Sequence, residues 1–237
     1  MNTFTPTPPG QTLLIDADDT LWENNIYFER AIAAFISYLN HHTYSPAEVR
    51  NALNVVELET VSQRGYGVAS FQHSLITCFE RLSSETLTAE RHEQIVSFAH
   101  AIRDQQIELL PGVAKVLPEL AARHRLILMT KGNQIEQSDK LARSGLARHF
   151  SSIEVPREKN PNAYHAVCQK YELKPQITWM IGNSPKSDIN PALAAGLHAV
   201  FIKHPFTWVL EHEVVDTAPS GQQVLELESF LDLGVRF

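Results

Sequence analysis

Thr12-Leu13-Leu14-Ile15-Asp16-Ala17-Asp18-Asp19-Thr20-Leu21-Trp22 sets a short apolar run directly against three carboxylates. Leu13, Leu14 and Ile15 are too few for a helix and show no polar alternation, so they read as a strand buried on both faces, as in a parallel sheet. The acids then stand at the carboxyl end of that strand, where open α/β sheets bind their ligands. Side chains two apart on extended backbone point the same way, so Asp16 and Asp18 face a common space. Two like charges so close ionise together only with a cation or a proton between them, and a hard divalent ion such as Mg²⁺ suits their oxygens. A solvated turn would use the same residues for local hydrogen bonds. The rest of the chain must decide.

The 237 residues suffice for one large domain or a core with a smaller insert. A hydrophobic content of 43% with 20% charged residues describes a soluble globular protein. The net charge of -7, with no cluster of Lys and Arg, argues against nucleic acid as a partner. Cys78 and Cys168 lack CxxC spacing and read as reduced core residues of a cytoplasmic protein. Residues 1–11 have neither a basic start nor an apolar stretch, so a flexible tail is expected and not a signal peptide. No run approaches the roughly 18 apolar residues of a membrane helix.

After Trp22 the pattern turns helical. Ile26, Phe28, Ile32, Phe35, Ile36 and Leu39 mark one apolar stripe over 23–41. Ser45-Pro46-Ala47-Glu48 is a capping box with proline at the first helical position, so a second helix starts there. Two more follow at 69–82 and 88–107 with no strand between them. Four successive helices predict an inserted all-α subdomain over 23–108, a lid. From Leu110 onward helices and strands alternate: helix 112–123, strand 125–130, helix 134–146, strand 152–155, helix 162–171, strand 177–181, helix 188–195 and strand 199–202. Alternation of this kind predicts a Rossmann-like α/β core, a parallel sheet with helices on both faces, built from 12–22 and 109–237. Pro118 predicts a kink or a late start in its helix. His204 to Trp208 reads as a loop near the strand ends, and 222–233 as an edge strand and a helix.

Asp16-Ala17-Asp18-Asp19-Thr20 resembles the first motif, Asp-x-Asp-x-Thr, of the haloacid dehalogenase-like hydrolases. Three further stretches resemble that family's motifs in the right order. Leu126-Ile127-Leu128-Met129-Thr130-Lys131-Gly132-Asn133 resembles the apolar strand ending in Thr or Ser, and Glu158-Lys159-Asn160-Pro161 the lysine motif, with Lys131 as the rival lysine. Trp179 to Asp188 resembles the Gly-Asp-x-x-x-x-Asp loop, with Asn183 in place of the first acid. The resemblance implies a phosphatase with a helical cap, acting on a small phosphoester with Mg²⁺. Asp16 would be the nucleophile and Asp18 the acid and base, with Lys159 beside Asp16. Thr130, Lys131 and Gly132 would hold phosphate oxygens. Asp16, the backbone carbonyl of Asp18, and Asp188 would hold the metal, with Asn183 adding an oxygen or orienting a water.

Rivals remain on both sides of that boundary. Dehalogenases of the family lack the second aspartate, which this chain has in Asp18. Phosphonoacetaldehyde hydrolases need a lid lysine, and no lysine precedes Lys115. Phosphosugar mutases keep both aspartates and a similar lid. A phosphoryl-accepting receiver domain would be much shorter and lack the helical insert, while a non-catalytic phosphate-binding regulator is compatible with Asn183. Substrate choice falls to the lid. There Gln63-Arg64-Gly65-Tyr66-Gly67-Val68 permits a tight loop, in which Arg64 and Tyr66 either meet an anionic or ring-bearing substrate or belong to a surface turn with a solvated arginine.

Overall fold

The apolar runs form one six-stranded sheet, all parallel, in the order β3-β2-β1-β4-β5-β6. Its strands are β1 (Thr12–Ile15), β2 (Arg125–Met129), β3 (Ser152–Glu154), β4 (Thr178–Gly182), β5 (His198–Ile202) and β6 (Val224–Leu227). The computed structural model describes residues 7–40 and 43–237. The chain divides into two compact units, one of residues up to Glu23 with Ile107–Phe237, the other Asn24–Gln106.

In the first unit β1 lies at the centre, paired with β2 through Leu13↔Leu126 and with β4 through Leu13↔Trp179. The β1 side chains divide between two apolar layers. Leu13 and Ile15 pack with Val116, Leu117 and Leu120 of α5 (Val113–Arg123), whereas Leu14 packs with Tyr164 and Val167 of α7 (Pro161–Lys170) and Ala192 of α8 (Asn190–Ala194). Both faces of β1 are therefore buried, which is why it reads as an uninterrupted apolar run. The chain builds outward from β1 to β2 and β3, then restarts on the other side with β4. The order reverses at β1, placing a crevice beyond the tips of β1 and β4.

Two local expectations are corrected. α5 begins at Val113, after Gly112 at φ 88°, and runs on through Pro118, so its start is not late. Of the tail foreseen over 1–11, residues 1–6 lie outside those described; Thr7 donates to the Arg236 carbonyl (2.7 Å) and Gly10 to that of Arg123 (2.9 Å), so the remainder is held. Among the described residues both cysteines are free, and no helix is long and apolar enough to cross a membrane.

The second unit is a four-helix insert, α1 (Asn25–Leu39), α2 (Pro46–Arg64), α3 (Val68–Leu82) and α4 (Ala89–Arg103), with its own core around Phe35, Leu53, Leu75 and Ile95. Ser45 caps α2 as its sequence requires: its Oγ accepts from Glu48 N (3.3 Å), and Glu48 Oε2 accepts from Ser45 N (2.8 Å). Tyr27, Arg30 and Ala31 of α1 line one cavity of about 290 Å³ with Ala101 and Ile102 of α4, so the insert's first and last helical turns meet.

One buried acid sits in this insert without full compensation. Glu57 is 6% exposed, and its Oε2 has no hydrogen-bond partner among the described residues. Burial pushes its carboxyl from 4.5 to about 7; Arg50 pulls it down, though Arg50 is itself paired with Glu29 at 2.7 Å. The folded protein thus holds a proton that the unfolded chain releases. Stability from this group is full below the unfolded value, falls as pH rises to the folded one, and is level above it. Glu57→Gln is expected to stabilise the protein at about pH 8 by on the order of 3 kcal/mol, and by almost nothing at about pH 4.5. Urea titrations at the two pH values check this, and an equal gain at both would refute a protonated Glu57.

Candidate active site

Asp16 continues the β1 ladder, its N–H donating to the Ile181 carbonyl of β4 (2.9 Å). The residue is buried; Oδ1 accepts from Lys159 Nζ, and Oδ2 accepts from Thr20 Oγ1 (3.2 Å). Lys159 stands just before α7, whose first turn is capped by Asn160 Oδ1 accepting from Ala163 N (3.0 Å). The same ammonium donates to Asp188 Oδ1 (2.7 Å). Asp188 belongs to the turn Pro185–Ile189 after β4, and its Oδ2 accepts from Ser184 N (3.0 Å). Tyr164 of α7 donates its hydroxyl to the Ser187 carbonyl (2.8 Å), fixing that turn from below. Asn183 Oδ1 lies 3.3 Å from Thr20 Oγ1. The tips of β1 and β4 and the start of α7 thus bring Asp16, Lys159, Asp188 and Asn183 together.

Asp18 lies near enough to Asp16 for its charge to help raise the Asp16 carboxyl, and it has donors of its own. Its carboxylate accepts from Trp22 Nε1, Lys140 Nζ and Gln137 Nε2, each at 2.8 Å. Gln137 and Lys140 lie one turn apart on α6 (Gln134–Ser144). Burial would raise the Asp18 carboxyl, but Lys140 and these hydrogen bonds outweigh it and hold the group below its usual range. Lys131 is not beside Asp16. Its Nζ donates to Ser187 Oγ (2.8 Å) and Glu211 Oε1 (2.7 Å), which leaves Lys159 as the lysine bonded to Asp16. Thr130 is buried at the end of β2, its N–H donating to the Glu154 carbonyl (3.0 Å). Gly132 adopts φ 136°, and a Cβ there would stand 2.8 Å from Gln137 Nε2. Arg64 ends α2, and Tyr66 follows between Gly65 (φ 79°) and Gly67 (φ 124°) in the insert.

The electrostatics of the cluster are unbalanced. Burial disfavours the Lys159 ammonium, yet Asp16 and Asp188 hold its pKa above the usual value. Burial raises the Asp16 carboxyl, Lys159 lowers it, Asp188 raises it again, and the net direction is up. Two buried carboxylates share one ammonium, so a negative charge is left over when both are ionised. With the Asn183 amide oxygen beside them, these are hard oxygen donors that fit a small divalent cation. A second metal-capable trio, Asp19, Glu23 and His204, has ligand atoms within 4.8 Å of one another. Its imidazole is already engaged at both nitrogens, Nδ1 accepting from Phe206 N (3.3 Å) and Nε2 lying 3.3 Å from Glu23 Oε2.

Gly182 is required by close approach: a Cβ there would sit 2.2 Å from Asp188 Oδ2 and 2.4 Å from its Cγ. Gly182→Ala is therefore expected to displace the Asp188 carboxylate and lower catalytic efficiency by roughly 10- to 100-fold, as loss of ligand support does. Steady-state kinetics beside a thermal melt check it; unchanged kinetics would show that Asp188 can move without consequence.

A model of the haloacid dehalogenase-like hydrolases matches residues 11–196. The chain belongs to that family. Among proteins similar to it, a glyceraldehyde 3-phosphate phosphatase of Pyrococcus furiosus is 24% identical over 94% of this chain and 95% of its own. A human N-acylneuraminate-9-phosphatase is 26% identical over 55% of this chain and 52% of its own. A solved haloacid dehalogenase-like family hydrolase of Xanthomonas campestris superposes with a TM-score of 0.79 at 27% identity, covering 97% of this chain and 95% of that one. As a haloacid dehalogenase-like hydrolase this protein is an enzyme, and the family generally uses a divalent metal.

Sequence reasoning missed the partners of Asp18, the trio around His204, and the buried Glu211. A faint signal existed for the first: Gln137 and Lys140, at i and i+3, put an amide and a cation on one helix face just after the second motif. For Glu211, in a stretch without periodicity, there was none.

Proposed function

We propose that the chain is a Mg²⁺-dependent phosphomonoester hydrolase that acts on a small phosphometabolite through a phosphorylated Asp16. The observation that carries this reading is the buried Asp16 carboxylate at the tip of the central strand, sharing Lys159 with Asp188. The names of the similar phosphatases support a small hydroxylated phosphate ester as substrate class. Free cysteines support a reducing, cytoplasmic setting.

Asp16 attacks phosphorus, forming an O–P bond as the ester P–O bond breaks; the proton the departing alcohol oxygen needs comes in on the monoanionic phosphate of the substrate and passes through Asp18, which its three donors otherwise hold ionised. Water then attacks the aspartyl-phosphate; Asp18, ionised as its three donors favour, takes the water's proton, and inorganic phosphate leaves with Asp16 restored. Lys159 favours the ionised form of Asp16 against the effect of burial, while Thr130 and the backbone N–H groups of Lys131 and Gly132 receive phosphate oxygens. Mg²⁺, held by Asp16, Asp188, the Asp18 carbonyl and Asn183, would supply neutralisation of the charge on the transferred group. Arg64 and Tyr66 are the insert residues assigned to the rest of the substrate.

A screen of phosphomonoesters with Mg²⁺, read as inorganic phosphate released, tests the reading. At least one ester is hydrolysed, and Asp18→Asn lowers kcat on it by about 10²- to 10⁴-fold, the usual worth of a general acid–base group. No release from any ester would overturn the proposal, and conversion of a sugar 1-phosphate to its 6-phosphate without release would make the enzyme a mutase.

A further inference from the structure

The segment after β5 has no motif and little regular structure, only a 3-10 turn at Val209–Glu211, yet it buries an acid, Glu211, which is 9% exposed. Two of its side chains reach the fourth motif. Thr207 Oγ1 accepts from Asn183 Nδ2 (3.1 Å) and donates its one hydrogen to the His204 carbonyl (3.1 Å). With that hydrogen occupied, the hydroxyl faces Asn183 as an acceptor, so the amide turns its nitrogen to Thr207 and its oxygen toward Thr20, whose hydroxyl also reaches Asp16. Asn183 then offers an oxygen where its family's motif has a carboxylate. Glu211 works on the neighbouring turn. Its Oε2 accepts from Ser184 Oγ (2.6 Å), and Ser184 N donates to Asp188 Oδ2 (3.0 Å). Its Oε1 accepts from Lys131 Nζ, whose second bond goes to Ser187 Oγ (2.8 Å).

We propose that Thr207 and Glu211 are positioning residues that set the affinity for the divalent cation, Thr207 by fixing which atom Asn183 presents and Glu211 by bracing the turn that carries Asp188. The inference rests on the metal-dependent reading above, and it explains how a chain with Asn in place of an acid keeps a working cation site. Ligand-orienting partners of this kind change metal affinity by about 10- to 100-fold when removed.

The test is calorimetric titration of Mg²⁺ into the substrate-free protein, with thermal melts confirming the fold. Thr207→Val keeps the shape and removes the acceptor; Thr207→Ser keeps the hydroxyl; Glu211→Gln keeps the size and removes the charge. Thr207→Val and Glu211→Gln are expected to weaken Mg²⁺ binding by about 10- to 100-fold, and Thr207→Ser by no more than about twofold. In Thr207→Val the Mg²⁺ concentration for half-maximal hydrolysis rises with that change, while kcat at saturating Mg²⁺ stays near that of the wild type. Wild-type affinity in Thr207→Val and Glu211→Gln, or equal weakening in Thr207→Ser and Thr207→Val, would overturn the inference. If Glu211→Gln does not fold, the two Thr207 variants decide. Absence of Mg²⁺ binding by the wild type would instead overturn the reading beneath it, so the two failures are told apart.

Discussion

Asp16→Asn is expected to abolish phosphoester hydrolysis, with kcat falling by on the order of 10⁴-fold or more, the scale seen when a catalytic nucleophile is removed. The expectation rests on geometry. Asparagine is isosteric, so its oxygen still accepts from Lys159 or Thr20, and the strand-tip backbone is untouched. What is lost is the charged oxygen that, in the proposed reaction, bonds to phosphorus. The substitution also removes one of two carboxylates that share a single ammonium, so the melting temperature is expected to hold or rise. Acid-quenching the enzyme during turnover of a radiolabelled ester checks both parts of the claim. Label stays with the wild-type protein and not with the variant. A variant that still hydrolyses the ester at more than a few per cent of the wild-type rate would place the nucleophile elsewhere.

Lys159→Met is expected to lower both activity and stability. The side chain is 2% exposed and ion-paired to two carboxylates that are themselves 9% and 1% exposed. Methionine fills the volume but leaves two buried charges without a counter-ion. Removing one partner of a buried ion pair costs about 3–5 kcal/mol. Urea denaturation gives the loss directly. Because the orphaned carboxylates would gain more from a divalent cation than they do in the wild type, added Mg²⁺ should recover a larger share of stability in the variant. A loss below about 1 kcal/mol, the scale of an exposed pair, would show that the cluster is solvated.

How far the chain could be read in advance depended on the range of the forces involved. β1, β2 and β4 were legible because a strand covered on both faces has no polar alternation to obscure it: Leu13, Leu14 and Ile15 carry that pattern whatever lies around them. The capping box at Ser45 is a local hydrogen-bond exchange and so is written locally. Lys159 was found by position, since a residue before α7 must stand at the crevice. The surroundings of Asp18 were not legible. Gln137 and Lys140 approach it from more than a hundred residues away, and only the packing of α6 decides that they face it. Thr207 and Glu211 belong to a stretch whose place is set by long-range hydrogen bonds to Asn183 and Ser184, which leave no periodic trace. Glu57 was hidden for another reason: on a helix face an acid looks solvated until the neighbouring helices are known.

The four-helix insert also bears on how the molecule assembles. β1 must find β2 and β4 across long spans of chain, Thr12 against Arg125 and against Thr178, and closing a long flexible loop carries an entropic penalty that grows with its length. An insert that folds first shortens that span before the sheet forms. It has a core of its own, and its folding brings the start of α1 to the end of α4, so the two exits stand together where Glu23 N donates to the Glu108 carbonyl (2.9 Å). Once those helices have collapsed, the nascent chain behaves as if β1 were separated from β2 by little more than α5. A helical bundle built from near-neighbour contacts forms quickly, and it hands the slower parallel pairing a problem of much smaller topological reach.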